Sequence, residues 1–155
     1  DPGNPDPDEH LIGRILLRDR LVAVASPDLQ RPVADAPAPA VVRASSDQPG
    51  WDLATHEGDV RISIDPILRL ASLIMIRDAV RTGIGAAMLP LSLVASDLRT
   101  GALVHWGDGR GPPIEIWALY PSRRLLSSRV SAFLEFLKEA FPLGKPEELA
   151  AYIKG

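Results

Sequence analysis

The residues best suited to binding a ligand are Ser72, Leu73 and Ile74, where an apolar pattern with helical spacing begins. A serine at a helix start accepts a hydrogen bond from a first-turn amide, while the other free amides and the positive end of the helix dipole can hold a carboxylate. Two interpretations therefore stay open. The segment is either an ordinary helix cap or an anion site whose apolar neighbours suit a ligand with an aliphatic or aromatic body.

A glycine-rich segment further along the chain is the second candidate. Gly83-Ile84-Gly85 superficially resembles a phosphate loop, but it follows a predicted helix and precedes a predicted strand, which reverses the order that cradles phosphate. The glycines either allow close packing or leave room for a ligand at Gly85 or Ala86. Asn4, among prolines, is either a turn residue or a hydrogen-bonding group for a ligand.

Other chemistries lack the residues that they need. The chain has no cysteine, which removes disulfides, thiolate metal sites and cysteine nucleophiles. The histidines His10, His56 and His105 are widely spaced and have no carboxylate at ligand spacing, so neither a metal nor another cofactor is expected. No nucleophile-elbow pattern frames any serine. An α/β enzyme is therefore the least favoured class, and we expect no catalytic activity.

Length and composition limit the remaining classes. A chain of 155 residues suits one domain, or one complete lobe and part of another. No apolar run reaches the roughly 18 residues of a membrane helix, and the acidic, proline-rich start is unlike a secretory leader, so a cytoplasmic location without membrane contact is expected. The net charge of -3 and the absence of a basic stretch indicate that this segment does not grip DNA by itself.

The elements that must position the candidate residues alternate between strands and helices. Strands are predicted at residues 20–26, 41–42, 60–64, 85–89, 102–105 and 114–120, with loops at 45–58 and 107–113. Helices are predicted at residues 72–83, 90–98, 127–141 and 146–154. This alternation predicts an α/β class with a mainly parallel sheet, in which ligands lie beyond the carboxyl ends of strands.

Several side chains also receive a predicted environment. Trp117 lies inside an apolar strand and is predicted to be core, with the helix at 127–141 packed on that strand. For Trp51 and Trp106, the interpretation as an aromatic binding surface stays open. The charged pair Arg77-Asp78 is predicted to mark a solvated helix face.

The order of six segments resembles the effector-binding domain (LysR substrate-binding domain) of LysR-type transcriptional regulators. The segments are GNPDPDEHLIGRILLR at residues 3–18, LVAVASP at 21–27, Trp51, AVRTGIGAAMLP at 79–90, GALV at 101–104 and PIEIWALYPSRRLLSSRVSAFLEFL at 113–137. Together they cover roughly residues 3–141.

The resemblance implies a type 2 periplasmic-binding-protein-like fold, in which two α/β lobes joined by crossover strands clasp an effector. It places residues 3–112 in the second lobe, 113–141 in a return segment to the first lobe, and 142–155 in a helical C-terminal extension. One lobe is then complete. The opening of the first lobe and a winged helix-turn-helix would precede Asp1, and the return segment would bury its apolar face against that missing material.

By this resemblance the chain is a non-enzymatic sensing domain that binds a small anionic organic effector between the lobes. The residues predicted to bind it are Ser72, Leu73, Ile74, Gly85, Ala86 and Asn4. DNA would be contacted only through the helix-turn-helix domain, and the intact protein is expected to be a homo-oligomer. The alternative is a solute-binding protein of a transport system with the same fold, which a secretory leader on the full-length gene would favour.

Overall fold

Strands and helices alternate in a computed structural model of the chain, which describes residues 11–33, 35–121 and 127–153. The strands are β1 Leu11–Asp19, β2 Leu21–Ala25, β3 Ala38–Arg43, β4 Gly50–Thr55, β5 Gly58–Leu70, β6 Ala87–Pro90, β7 Val104–Gly109 and β8 Ile114–Pro121. The helices are α1 Leu73–Arg81, α2 Leu91–Thr100, α3 Ser128–Ala140 and α4 Pro146–Ala150. The α/β class is confirmed.

Six strands form one mixed sheet in the order β3-β5-β4-β7-β2-β6. Only β3 and β5 pair in parallel, and each of the other adjacent pairs is antiparallel. An additional parallel bridge joins Ala40 in β3 to Ala86, which directly precedes β6. The expectation of a mainly parallel sheet is therefore wrong, because hairpins and returning strands contribute most of the pairs.

The antiparallel strand β4 lies within the segment that was expected to be a loop. Its side chains alternate, with Trp51 and Leu53 buried and Asp52 exposed, as in a half-buried strand. Gly50 allows this strand to approach β5, since a Cβ atom there would lie 2.5 Å from the carbonyl oxygen of Ile62. The loop interpretation was wrong because only two apolar residues carry the alternation. Strand β7 likewise continues beyond its predicted end to Gly109.

The apolar core lies on both faces of the six-stranded sheet. In β2, Val22 and Val24 face the helices α1 and α2, whereas Ala23 and Ala25 face the other side. The helix-side cluster consists of Val22, Val24, Val41, Ile76, Val80, Ala87, Leu89, Leu91, Val94 and Leu103. A strand buried on both faces requires a continuous apolar run, which confirms the buried strand predicted at this position.

The helix ends follow the local capping chemistry. The Ser72 hydroxyl accepts a hydrogen bond from the amide of Met75 at the start of α1. Beyond α1, Gly83 has a φ of 87°, and Gly101 ends α2 with a φ of 84°, both in the left-handed region that glycine adopts readily. Pro90 precedes the first residue of α2. These predicted helix boundaries are confirmed.

A second, two-stranded sheet pairs β1 with β8 in antiparallel orientation, separate from the six-stranded sheet. Trp117 in β8 is 48% exposed, so its predicted core position is wrong. The predicted packing of α3 on β8 is also wrong, because the two elements make almost no contact and no residue of α3 is buried. Both expectations failed for one reason: among residues 11–33, 35–121 and 127–153, nothing covers this face of the two strands.

The last described residues return to the six-stranded lobe. Helix α4 packs against α2, and the carbonyl oxygen of Gly144 accepts a hydrogen bond of 3.0 Å from the amide of Arg18. The Glu148 carboxylate accepts a hydrogen bond of 2.9 Å from the amide of Leu143. Helix α4 is shorter than expected. No helix in the described ranges is long and apolar enough to cross a membrane.

Candidate functional site

A groove of about 420 Å³ opens beside the N-terminus of α1, and it is called the α1 groove below. Its apolar lining consists of Leu21, Val41, Val42, Trp51, Leu73, Ile76, Met88, Pro90 and Ile114, and its polar lining of Arg43, Ser45, Ser46, Asp47 and Gln48. A largely apolar wall with a polar rim is typical of sites for small organic molecules.

The fold places the α1 groove where the parallel strands β3 and β5 end. Arg43, the last residue of β3, pairs with Leu70, the last residue of β5. The amide of Ala44 donates a hydrogen bond of 2.9 Å to the carbonyl oxygen of Leu70, and the Arg69 guanidinium donates to the carbonyl oxygen of Ser46. These contacts hold the loop at residues 44–49 over the carboxyl ends of the two strands, the usual position of ligands in α/β sheets.

Free backbone donors mark the α1 end of the groove. Ser72 satisfies the amide of Met75 through its hydroxyl and that of Ile76 through its carbonyl oxygen. The amides of Leu73 and Ile74 have no hydrogen-bond acceptor within the described part of the chain. The first turn of α1 contains no acidic residue. The positive end of the helix dipole and two amide donors are thus available to an anion.

Three of the predicted site residues come together at this end. Leu73 lines the α1 groove, and Ser72 lies directly before it in extended conformation, with a φ of -105° and a ψ of 130°. The Ile74 side chain is 52% exposed and is not part of the groove wall.

The other predicted site residues lie elsewhere. The amide of Ala86 donates a hydrogen bond of 2.8 Å to the carbonyl oxygen of Pro39, and the Ala86 carbonyl oxygen accepts one of 2.8 Å from Val41. A Cβ atom on Gly85 would lie 3.0 Å from the same Pro39 oxygen. Both residues therefore lie in the bridge to β3, where their small size permits close approach. Asn4 is outside the described residues.

Met88 and Trp51 line the groove, although neither was among the predicted effector-binding residues and Trp51 was considered only for an aromatic binding surface. In β6, Ala87 and Leu89 are buried, whereas Met88 and Pro90 between them are only partly buried. Because residues 86–90 are all apolar, the sequence contains no alternation that could have distinguished Met88 from its neighbours. Trp51 was missed as part of a groove because β4 had been interpreted as loop.

A second cavity of about 500 Å³ adjoins the α1 groove, and the two share Leu21, Gln48, Trp51 and Met88. Arginines line this adjoining cavity, but each has an acidic partner. The ion pairs are Arg61–Asp52 at 2.8 Å, Arg20–Asp108 at 3.5 Å, and Arg110–Asp59. The free amides of α1 are consequently better placed to meet an anion than these guanidinium groups.

Strands β1 and β8 meet the six-stranded part of the chain beside the groove, and the end of β1 is anchored there. Asp19, the last residue of β1, pairs with the groove residue Ile114 in β8. The Asp19 carboxylate, 4% exposed, accepts hydrogen bonds from the amide of Ser92 at 3.2 Å, its hydroxyl at 2.5 Å, and the amide of Arg20 at 2.9 Å. Asp19 thus caps α2 and fixes the direction in which β1 leaves the lobe.

Comparisons with known proteins agree with this architecture. Two LysR-family structures share the fold: the regulatory domain of AphB from Vibrio vulnificus (TM-score 0.66, 20% identity, covering 88% of this chain and 72% of that one) and CrgA, a LysR-type transcriptional regulator from Neisseria meningitidis (TM-score 0.66, 21% identity, covering 90% of this chain and 50% of that one).

A curated relative also matches part of the sequence. The HTH-type transcriptional regulator PtxR of Pseudomonas aeruginosa is 47% identical over 58 residues, which are 37% of this chain and 19% of PtxR. The chain thus aligns with about a fifth of that regulator. The family model of the LysR substrate binding domain matches residues 2–142. The chain therefore belongs to the LysR substrate binding domain family, whose α/β fold is of the type 2 periplasmic-binding-protein-like kind.

Proposed function

We propose that this chain is the sensing domain of a LysR-type regulator and that its α1 groove binds a small organic anion. The observation that carries the proposal is the pair of unoccupied amide donors, Leu73 and Ile74, beside a largely apolar groove. The amides would hold the carboxylate of the effector. Trp51, Leu73 and Met88 would contact its aliphatic or aromatic body.

The remaining predicted residues have indirect roles in this proposal. Ser72 keeps the first turn of α1 in place by capping Met75. Gly85 and Ala86 shape the floor by allowing β3 and β6 to approach closely. Asn4 stays a predicted hydrogen-bonding residue for the effector.

The exposed apolar face beside the groove supports a two-lobed arrangement. Trp117 and Leu119 in β8 and Phe133 in α3 are large apolar side chains that are roughly half exposed or more. Burial of such side chains provides about 1.5–3 kcal/mol each, so their pattern favours a covering partner. We propose that residues 113–141 belong to the first lobe of the intact regulator, with residues 3–112 forming the second lobe.

In this proposal the two lobes close over the effector, and closure is transmitted to a helix-turn-helix domain that contacts DNA. A ligand can shift the regulator only by binding the closed and open states with different affinity. The regulator would act in the cytoplasm as a homo-oligomer, without catalytic activity. The family match favours a regulator over a transport protein that shares the fold.

The contribution of the amide donor can be separated from that of the side chain at the same position. Leu73→Pro removes the amide of the first helical residue, where proline is tolerated, and the extended Ser72 before it suits a following proline. Leu73→Ala removes the same apolar side chain but keeps the amide, so it is the matched control. A lost hydrogen bond to a charged group costs about 1.5–3 kcal/mol.

We expect the intact regulator to bind one class from a panel of carboxylates, aromatic acids and amino acids in isothermal titration. Leu73→Pro should bind that anion about tenfold more weakly than Leu73→Ala. A neutral amide analogue of the same acid should bind the two variants equally. Equal binding of the acid by both variants, or no binding of any class by the unmodified protein, would contradict the proposal.

A further inference from the structure

A cavity of about 420 Å³ lies where α1, α2 and α4 meet, and it has no residue in common with the α1 groove. Its wall carries the side chains of Arg77, Arg81 and Arg99, together with apolar residues that include Leu93 and Ile153. Part of the wall, from α4 onward, lies beyond the residues that the family model matches. The cavity is therefore built partly from a segment outside the common domain.

Arg77 is the unusual residue of this cavity, because its side chain is only 4% exposed. The solvated helix face predicted for Arg77-Asp78 is thus wrong for the arginine, since α2 packs against this side of α1. Its one ion pair in the described ranges joins Nε to an Asp78 oxygen at 3.4 Å. This distance is longer than that of a typical hydrogen bond. Asp78 is 57% exposed and shares that oxygen with Arg81 at 3.3 Å.

The other carboxylates around the cavity do not supply the missing partner. Asp97 is already bound by Arg81 through two hydrogen bonds of 3.0 and 2.9 Å. Glu147 is exposed, and its carboxylate does not come within 4.0 Å of Arg77. In the described part of the chain, the two terminal amino groups of Arg77 therefore have no acceptor.

A guanidinium that is largely shielded from solvent and has unused donors is stabilised by an accompanying anion. The planar fork of arginine matches the two oxygens of a carboxylate or phosphate. We propose that this cavity is a second ligand site, in which Arg77 binds the oxoanion group of a small molecule and Leu93 and Ile153 contact its apolar part. Because Arg77 lies one helical turn after Leu73, ligands in the two sites would contact neighbouring turns of the same helix.

The test uses the 155-residue chain with inorganic phosphate and with succinate, each compared with sodium chloride at equal ionic strength. We expect at least one oxoanion to raise the melting temperature by several degrees in the unmodified chain. Arg77→Met should abolish this rise, and it should melt no lower than the unmodified chain without added anion, because it removes a largely buried charge whose terminal amino groups have no acceptor. Arg77→Lys, which keeps the charge but loses the fork, should bind about tenfold more weakly.

Arg129→Met is the matched control, since it removes the same charge from an exposed position on α3. It should respond to the oxoanions like the unmodified chain. A response to phosphate alone would assign the site to phosphorylated ligands, and a response to succinate alone to carboxylates. If Arg77→Met does not fold, titration of the Arg77 Nε–H resonance in the unmodified chain gives the same answer, with a shift expected on oxoanion binding.

Two results would overturn the site: oxoanions acting no more strongly than chloride, or Arg77→Met responding as the unmodified chain does. An unmoved Arg77 resonance would have the same meaning. None of these results bears on the α1 groove, because that groove contains no atom of Arg77.

Discussion

Apolar segments of similar composition are buried in the six-stranded lobe but exposed in the second region, which consists of the two-stranded sheet of β1 and β8 together with α3. In the lobe, Val24, Val80 and Leu89 are completely buried between the sheet and its helices. In the other region, Leu119 of β8 and Phe133 of α3 are more than half exposed, although their segments are as apolar as those of the lobe. The apolar residues of the lobe pack against each other, whereas those of β8 and α3 form an exposed apolar surface.

The contrast shows that an apolar pattern specifies which side of an element is buried, but not which other element buries it. The α1 groove lies at the junction of the two regions, where Leu21 follows β1 and Ile114 begins β8. In the proposed two-lobed regulator, this junction would be the position of the cleft between the lobes. Substitutions in the lobe, at its boundary with β1, and in β8 and α3 test whether the two regions differ in this way.

The largest effect is expected inside the lobe. Leu89→Ala should lower the free energy of unfolding by about 2–5 kcal/mol, because it leaves a cavity among residues that cannot rearrange to fill it. Leu119→Ala deletes the same atoms from the exposed face of β8 and should change it by less than about 0.5 kcal/mol. Urea denaturation measures both. Similar losses for the two variants would contradict the distinction between the regions.

An intermediate effect is expected at the boundary. Asp19→Ala removes the acceptor for the amide and hydroxyl of Ser92 and should destabilise the chain by about 1–3 kcal/mol. Asp28→Ala, at an exposed aspartate, is the control and should be nearly neutral. Thermal unfolding of both variants checks this. An unchanged melting temperature for Asp19→Ala would mean that β1 is not anchored to α2 through Asp19.

The smallest change in stability is expected on α3. Replacement of Phe133 and Phe136 by serine should alter the free energy of unfolding by less than about 0.5 kcal/mol, because both rings are exposed. The same double variant should bind less of a hydrophobic dye and self-associate less, since it removes part of an apolar surface. A large loss of stability would show that α3 belongs to the core of the lobe.

Features determined by short-range chemistry were predictable from the sequence. The ends of α1 and α2 follow from Ser72, Gly83, Pro90 and Gly101, each of which acts on its own turn of backbone. The order of segments also identified the family and the fold. The free amides at the start of α1 were predictable for the same reason, since they depend only on where the helix begins.

Features that depend on distant partners were not predictable. The orientation of β4 depends on its pairing with β5, and the groove position of Trp51 follows from that pairing. Arg77 has the sequence environment of a surface residue, but its side chain is buried where α1 packs against α2. Trp117 shows the converse error, because its apolar strand has no covering partner in the described residues.

The most direct test of the α1 groove is a ¹H–¹⁵N NMR titration of the intact sensor domain with organic acids, including benzoate and succinate. Effector binding should move the amide signals of Leu73 and Ile74 downfield, as expected for new hydrogen bonds to an anion, and should shift the Trp51 indole signal with the same affinity. Chemical-shift changes that leave Leu73, Ile74 and Trp51 unaffected at saturation would contradict the assignment of this groove as the effector site.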